Sequence, residues 1–506
     1  MLFKISSAAL LGIEGYPVDV EVDISAGLPA FVTVGLPDPA VRESKERVRA
    51  ALKNCGWDIE ARKVTINLAP ADRRKEGSAF DLPIALGFLA YLDVVPGDRL
   101  RDFLFIGELA LDGRLKPARG ILPIALMAER LGFQGIVVPK ANAREAGLVR
   151  DLPVFGLDNL VQVVRLLTAP GEFTPCRFSL DDLVAAAPEA LDFDEVKGQY
   201  HVKRALEVAA AGAHNVLLIG PPGAGKTMLA RRLPTILPQM TFDEMIEVTQ
   251  VWSAAGLLQD TGAVSRRPFR APHHTITDPA LIGGGLVPRP GEVSLAHRGV
   301  LFLDELPEFR RRVLEDLRHP IEDGRVTVSR SAMSAVFPSA FMLVAAMNPC
   351  EDVFRGMAGS KGGCTESEKA RYYSKISGPL LDRIDIQVEV PEVKFRDIVS
   401  REPAENSASI RARVTAAREK QLARFKGRKI YANARMGPRD IKRHCAIPEE
   451  AERILEMAVT RLGFSARAYD RVLKVARTIA DLEGVDDIST VHVSEAIQYR
   501  MMDKFR

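Results

Sequence analysis

The sequence predicts an α/β protein with a central parallel sheet and a helical C-terminal part. Three observations carry that prediction. Strand-like and helix-like runs alternate over residues 1–167, short all-apolar strands recur over 193–391, and no strand-like run follows Pro391. Strands that are apolar along their whole length belong to parallel sheets covered on both faces.

In chain order, the runs 18–24, 31–35, 64–68, 103–106 and 135–138 read as strands, and 38–55 and 78–92 as helices. This is the pattern of an α/β domain over 1–167. Residues 168–192 hold three prolines and a short acidic segment, the composition of a linker. Strands are then expected at 215–219, 300–303, 341–346 and 386–390, placing a sheet domain over 193–391. The remainder, 392–506, reads as helices at 408–425, 448–462, 467–482 and 490–501.

Composition agrees with a folded, multi-domain chain. At 506 residues, 47% hydrophobic and 27% charged, the protein has neither a disordered, a collagen-like nor a coiled-coil composition. The most apolar stretch, 79–95, is interrupted by Asp81, Pro83 and Asp93, so no membrane span is expected. The N-terminal apolar run ends at Gly12 and Glu14, too early for a signal-peptide core. Five cysteines, odd in number and far apart, fit a reducing compartment better than a disulfide framework. A cytoplasmic protein is expected.

The chemistry begins after the strand at 215–219. Gly220, Pro221, Pro222, Gly223, Ala224, Gly225, Lys226 and Thr227 form a full GxxxxGK[ST] in strand–loop–helix context. The glycines let backbone N–H groups curl around phosphate oxygens, Lys226 can reach the β and γ phosphates of ATP, and Thr227 can hold Mg2+. The strand at 300–303 ends in Asp304 and Glu305. Asp304 suits the hydration shell of Mg2+, and Glu305 suits the attacking water, so the pair points to hydrolysis as well as binding. Asn348, just past the next apolar strand, can orient the same water.

Longer blocks carry a family resemblance: FRAPHHTITDPALIGGG, GEVSLAHRGVLFLDELPEF, LEDLRHPIEDGRVTVSR, FMLVAAMNPC and SGPLLDRIDI. The chain resembles AAA+ ATPases, and among them the magnesium-chelatase-like ComM/YifB family, over essentially its whole length. The resemblance implies that Asn348 is sensor 1, that Arg383 in LLDRID is an arginine finger, and that Arg467 is sensor 2 on a helical lid. A finger that completes a neighbour's site implies a ring, a hexamer in such proteins. It also implies DNA as partner, with branch migration or unwinding during recombination as the activity. The rivals are a motor subunit of a metal-chelatase complex, which lacks the N-terminal domain, and a nucleotide-sensing scaffold, which has no need of an intact hydrolytic set.

Residues 1–167 resemble the Lon-type protease fold. Aligned with that family, Ala79 takes the nucleophile position and Leu122 the position of the catalytic lysine. A one-residue shift offers Ser78, still without an activating lysine, so proteolysis is not expected. His273 and His274 are adjacent in one extended segment with no further ligand nearby, and read as packing or subunit-contact residues. Many relatives carry a four-cysteine zinc pattern after the sensor strand. Here only Cys350 and Cys364 remain, with Asp352 and Gly362 at the other two places, so zinc is not expected.

Net charge is only +3, but residues 394–443 carry 15 Lys and Arg against 5 Asp and Glu, a local +10. Such a run suits sequence-independent phosphate binding. Arg325 and Arg330, flanking the hairpin-like GRVTVSR, add a second basic element.

Overall fold

A computed structural model describes all of the chain except residues 61, 179–190, 259–261, 331–332, 351–363, 394–395, 397–403, 429, 463 and 501–506. Parts of the expected linker and of the basic run, both missing zinc-pattern positions and the C-terminal end therefore lie outside the described residues.

The N-terminal part opens with a strand the sequence reading did not predict, β1 (Leu2–Leu11), paired antiparallel with β2 (Glu14–Ser25) through the turn at Gly12 and Ile13. With β3 (Ala30–Val34) and β4 (Lys63–Ala69) they form a mixed sheet in the order β1-β2-β4-β3, in which only β3 and β4 run parallel. Helix α1 (Asp81–Tyr91) lies against it with every residue buried except Tyr91. A second, parallel sheet joins β5 (Phe103–Phe105), β6 (Gly135–Pro139) and β7 (Val154–Leu157), with α2 (Ile121–Leu131) between the first two in sequence.

The central part is built on five parallel strands. They are β8 (Val216–Ile219), β9 (Phe269–Arg270), β10 (Val300–Leu303), β13 (Met342–Met347) and β14 (Ile386–Glu389), in the order β9-β10-β13-β8-β14. Strands β11 (Arg325–Arg330) and β12 (Met333–Pro338) form an antiparallel hairpin just before β13. The two-residue edge strand β9 is too short to leave a sequence signal. The continuous apolar character of the strands has a direct cause. Val216, Leu218, Phe302 and Val344 join one core with the C-terminal helices, while Leu217, Leu303, Leu343 and Ala345 join another with Phe337 of the hairpin.

The C-terminal helices α3 (Ser407–Arg424), α4 (Pro438–His444), α5 (Glu449–Leu462), α6 (Ala466–Glu483) and α7 (Thr490–Gln498) pack on the first of those cores. Among the described residues no strand follows β14, and no helix is long and apolar enough to cross a membrane.

Candidate nucleotide site

Parallel strand order fixes the site. Because β10, β13 and β8 are neighbours running the same way, their C-terminal ends share one edge of the sheet, with Leu303 opposite Ala345 and Ile219 opposite Met347. That edge, at a crossover of strand order, is where open α/β sheets bind ligands. Asp304, Asn348 and the loop 220–225 are brought together there.

The loop turns at Gly223 (φ +80°) and Gly225 (φ +87°), a region other residues enter at a cost, and leads directly into the helix Lys226–Ile236. A Cβ at Gly223 would meet nothing within 4 Å, so the cradle is open. Lys226, 8% exposed, is held by the carbonyls of Gly220 (2.7 Å) and Pro221 (2.8 Å) and by Asn348 Oδ1 (2.9 Å). Its ammonium thus already sits in a nest of oxygens, and nucleotide phosphates offer it stronger acceptors. Thr227 Oγ1 donates to Asp304 Oδ2 at 2.7 Å. Two hard oxygen donors that close to each other fit a shared Mg2+ shell, so the residues present suit the ion.

Glu305 follows in a left-handed backbone conformation (φ +53°), of a kind that costs on the order of 1–3 kcal/mol and gathers at functional sites. The turn leaves its side chain more than half exposed, with Oε2 lying 3.5 Å from Nδ1 of His274. His273 and His274 were read from the sequence as packing or subunit-contact residues. The structure adds to this for His274, whose ring packs edge-on against Phe309 and also faces the carboxylate expected to activate water. No sequence signal points to this pairing, since the two residues lie in separate blocks with thirty residues between them.

The two arginines differ in placement, Arg383 being buried and Arg467 exposed. Arg383 is 5% exposed, with Nη1 donating to Pro379 O at 2.6 Å and Nη2 2.5 Å from Glu322 Oε1, while its Nε is buried without a partner. In this conformation the residue is folded onto its own chain. Arg467 is exposed at the start of α6 and has no ion pair among the described residues. The arginine of α6 that does reach the sheet domain is one turn further on. Arg471 pairs with the buried Asp385, which also accepts from Asn215 N at 3.0 Å and lies 3.5 Å from His214 Nδ1. Burial pushes the Asp385 carboxyl up, but Arg471, His214 and Lys474 outweigh it and hold it well below the usual carboxylate range. Asp385 stands two residues from Arg383, so the helix bearing Arg467 and the segment bearing Arg383 share one buried ionic contact.

The basic run needs correction as well. Arg413 pairs with Glu207 and Glu405, Arg424 with Asp481 and Arg428 with Asp440. Arg411, Arg418, Lys420 and Arg435 donate to backbone carbonyls. Arg418 is so buried, with Arg267 nearby, that its pKa falls to about 10. Much of the local +10 therefore ties α3 to its neighbours. Arg325 and Arg330 do lie at the two ends of β11, as the hairpin reading expected.

Cys350 and Cys364 are joined in a disulfide, with Cα atoms 6.2 Å apart. This revises the reading of the cysteines as reduced thiols. In the N-terminal part, Leu122 is fully buried, and the Ser78 hydroxyl donates to Glu108, a partner the sequence did not suggest.

Comparison with known families places the site in a class. Residues 192–398 match the model for magnesium chelatase, subunit ChlI, residues 20–142 match a second model, subunit ChlI of Mg-chelatase, and 404–500 match the ChlI C-terminal model. The central sheet domain is of the magnesium-chelatase type within the AAA+ ATPases. Over nearly its whole length the chain is also similar to curated proteins. It is 42% identical over 499 residues to competence protein ComM of Haemophilus influenzae, covering 98% of this chain and 97% of that one. It is 43% identical over 502 residues to YifB of Salmonella typhimurium, covering 99% and 97%. The likeness to the magnesium-chelatase 38 kDa subunit of Rhodobacter capsulatus is 26% over 231 residues, covering 42% and 62%. The chain belongs to the ComM/YifB family.

Proposed function

We propose that this protein is an ATP-hydrolysing ring motor, a hexamer, that acts on DNA by branch migration or unwinding during recombination. The observation that carries the ATPase part is the convergence of Lys226, Thr227, Asp304 and Asn348 on one sheet edge, with Glu305 beside them. The loop amides of 220–225 and Lys226 bind the phosphates. Thr227 and Asp304 are the residues that would hold Mg2+, which when bound supplies charge neutralisation on the phosphates. Glu305 takes the proton of the attacking water and Asn348 orients that water, while Arg383 and Arg467 stabilise charge on the γ-phosphate, Arg383 from the adjacent subunit.

The DNA part is supported by full-length similarity to a competence protein and by the basic hairpin β11–β12. The chelatase-subunit reading is weaker because that likeness covers under half of this chain. The N-terminal part is read as a Lon-like layer without proteolysis, since Leu122 stands in the core where that chemistry needs a base.

The test is a four-way junction with one labelled arm, incubated with the protein and ATP·Mg2+. Conversion to branch-migrated or unwound product in wild type, and none with Glu305→Gln, is expected. Active ATP turnover with no change in any DNA substrate would overturn the DNA part.

A further inference from the structure

The structure leaves the partner surface unassigned, because seven of the described Lys and Arg of the basic run are engaged within the fold. We propose that a single nucleic-acid strand lies in the cleft between the N-terminal part and two hairpins of the ATPase core, β11–β12 and the short antiparallel pair Gly283–Gly284 with Arg289–Pro290, held by Arg42, Arg74 and Arg289. This rests on the DNA reading above and names where such a strand is gripped.

The two walls are fixed to each other. The β1–β2 turn sits so close to β12 that a Cβ on Gly12 would come within 2.8 Å of Ala335 Cβ, and Ile13 packs into the core beneath the hairpin. On the far side, Gly120 N donates to Ser253 O at 3.0 Å, and Ser253 donates to the buried Glu145. Between these attachments run two contiguous cavities of 1110 and 310 Å³, which share Leu10, Arg74 and Met333. The larger is bounded by the N-terminal part on one side and by Leu286 and Met333 of the core on the other.

The charge in this cleft is presented deliberately by the backbone. Lys75 is fully buried, pinned through its N to Leu36 O, through its O to Asp38 N, and through its ammonium to Pro70 O. Gly77 N bonds Asp38 Oδ2 at 3.1 Å, and Tyr16 Oη donates to Arg74 O at 3.3 Å. An extended segment whose lysine points inward must turn Arg74 outward, and Arg73 stacks 4.9 Å from the Tyr16 ring centre. The loop is thus ordered before any ligand arrives, which lowers the entropic cost of binding.

Five exposed arginines line the cavities: Arg42, Arg73, Arg74, Arg119 and Arg289. The carboxylates there are Asp72, Glu76 and Glu108. Glu76 lies 3.6 Å from Arg119 and 3.9 Å from Arg74. Arg42 and Arg289 have no ion pair or side-chain hydrogen bond among the described residues. Guanidinium forks match phosphate oxygens in pairs. Leu36 and Leu286, 55% and 88% exposed, offer apolar surface between them for sugar and base. A basic track with interleaved apolar contacts is the chemistry of single-strand grooves, and a slot with two fixed walls takes one strand more readily than a duplex.

The experiment measures binding of a fluorescein-labelled oligo-dT to the full chain by anisotropy, across 50–200 mM salt. The variants are the triple charge reversal Arg42→Glu, Arg74→Glu, Arg289→Glu, its triple Gln counterpart, and the triple Lys counterpart that keeps charge. Melting temperature serves as the fold control, and the Gln set is read if the Glu set melts early. Three lost contacts should lower the magnitude of the log–log salt slope by about 2, at roughly 0.7 per single-strand phosphate, and weaken binding at least tenfold at 50 mM salt, while the Lys set stays close to wild type. Unchanged affinity and slope in a folded Glu or Gln set, with wild type binding, would overturn the cleft alone. Displacement of the oligonucleotide by poly-glutamate as effectively as by unlabelled DNA would overturn it in favour of an acidic protein partner. No binding by wild type would remove the DNA reading itself, and the cleft with it.

Discussion

Replacing Asp385 by asparagine should loosen the joint between the sheet domain and the helix that carries Arg467. Asp385 is 2% exposed and accepts from Arg471 and from Asn215 N, with His214 beside it. Asparagine keeps the shape but removes the charge, and it turns one oxygen into an NH2 that must face a donor. Losing one partner of a buried ion pair costs about 3–5 kcal/mol, because the other charge is left uncompensated. For large domains each kcal/mol moves the melting midpoint by about 2–4 °C, so the core transition of Asp385→Asn should fall by about 10 °C. The exposed pair Arg453–Glu449, with both side chains over 70% exposed, is the control. Such pairs contribute at most about 1 kcal/mol, and Arg453→Ala should leave the midpoint nearly unchanged. The pH dependence has a defined sign. A carboxyl held low in the folded state stabilises fully above its unfolded pKa of about 3.9, and that stability is lost as pH falls toward the folded value. Wild type should therefore lose this increment only below about pH 4, and Asp385→Asn should lack it at every pH. The assay is calorimetry at pH 7 and again below about pH 4, with steady-state ATP turnover at pH 7 alongside. Because Asp385 is two residues from Arg383, kcat should drop more than ATP affinity. A midpoint within about 1 °C of wild type would refute the claim that this ion pair ties the two parts together.

Three further outcomes follow from the site. Lys226→Ala should lose most ATP binding, since the phosphates lose the one cation supplied by their loop, and equal affinity measured by nucleotide titration would contradict the assignment. Arg383→Ala should bind ATP nearly as wild type but hydrolyse almost none, and mixing it with Lys226→Ala subunits should restore part of the activity if the arginine acts across an interface. Fingers supply about 10³–10⁵ in rate, so a minority of rescued interfaces would stand out, and no recovery in rings shown to be mixed would argue against action in trans. His274→Ala should change kcat without changing ATP affinity, because His274 meets Glu305 rather than the phosphate loop; a large affinity loss would show that its role lies elsewhere.

Local chemistry was legible from the sequence where neighbours in the chain remain neighbours in space. The phosphate loop, the Asp304–Glu305 strand end and the hairpin at Arg325 each follow from a few adjacent residues, and each has the local backbone expected of it: a loop entering a helix, the end of a buried strand, and an antiparallel pair. Contacts across long separations were not. Lys226 meets Asn348 across 122 residues, and Arg471 meets Asp385 across 86. Strand β1 was missed because KISSAALL mixes small polar and apolar residues without a clean alternation, and its pairing with β2 supplies the regularity that its own pattern lacks. The basic run shows a different limit. Composition counts Arg413, Arg418 and Arg424 as equal charges, whereas the fold places one on glutamates, one on backbone carbonyls and one on Asp481. The three arginines proposed to grip the strand, Arg42, Arg74 and Arg289, are scattered over nearly 250 residues of sequence and form no run with one another.

The account stands most directly on the rate of ATP hydrolysis measured with no DNA, single-stranded DNA, duplex and a four-way junction. It predicts hydrolysis that rises severalfold with at least one of these DNAs and that disappears in Glu305→Gln while ATP binding persists. A rate indifferent to every DNA, or one that survives Glu305→Gln, would contradict it.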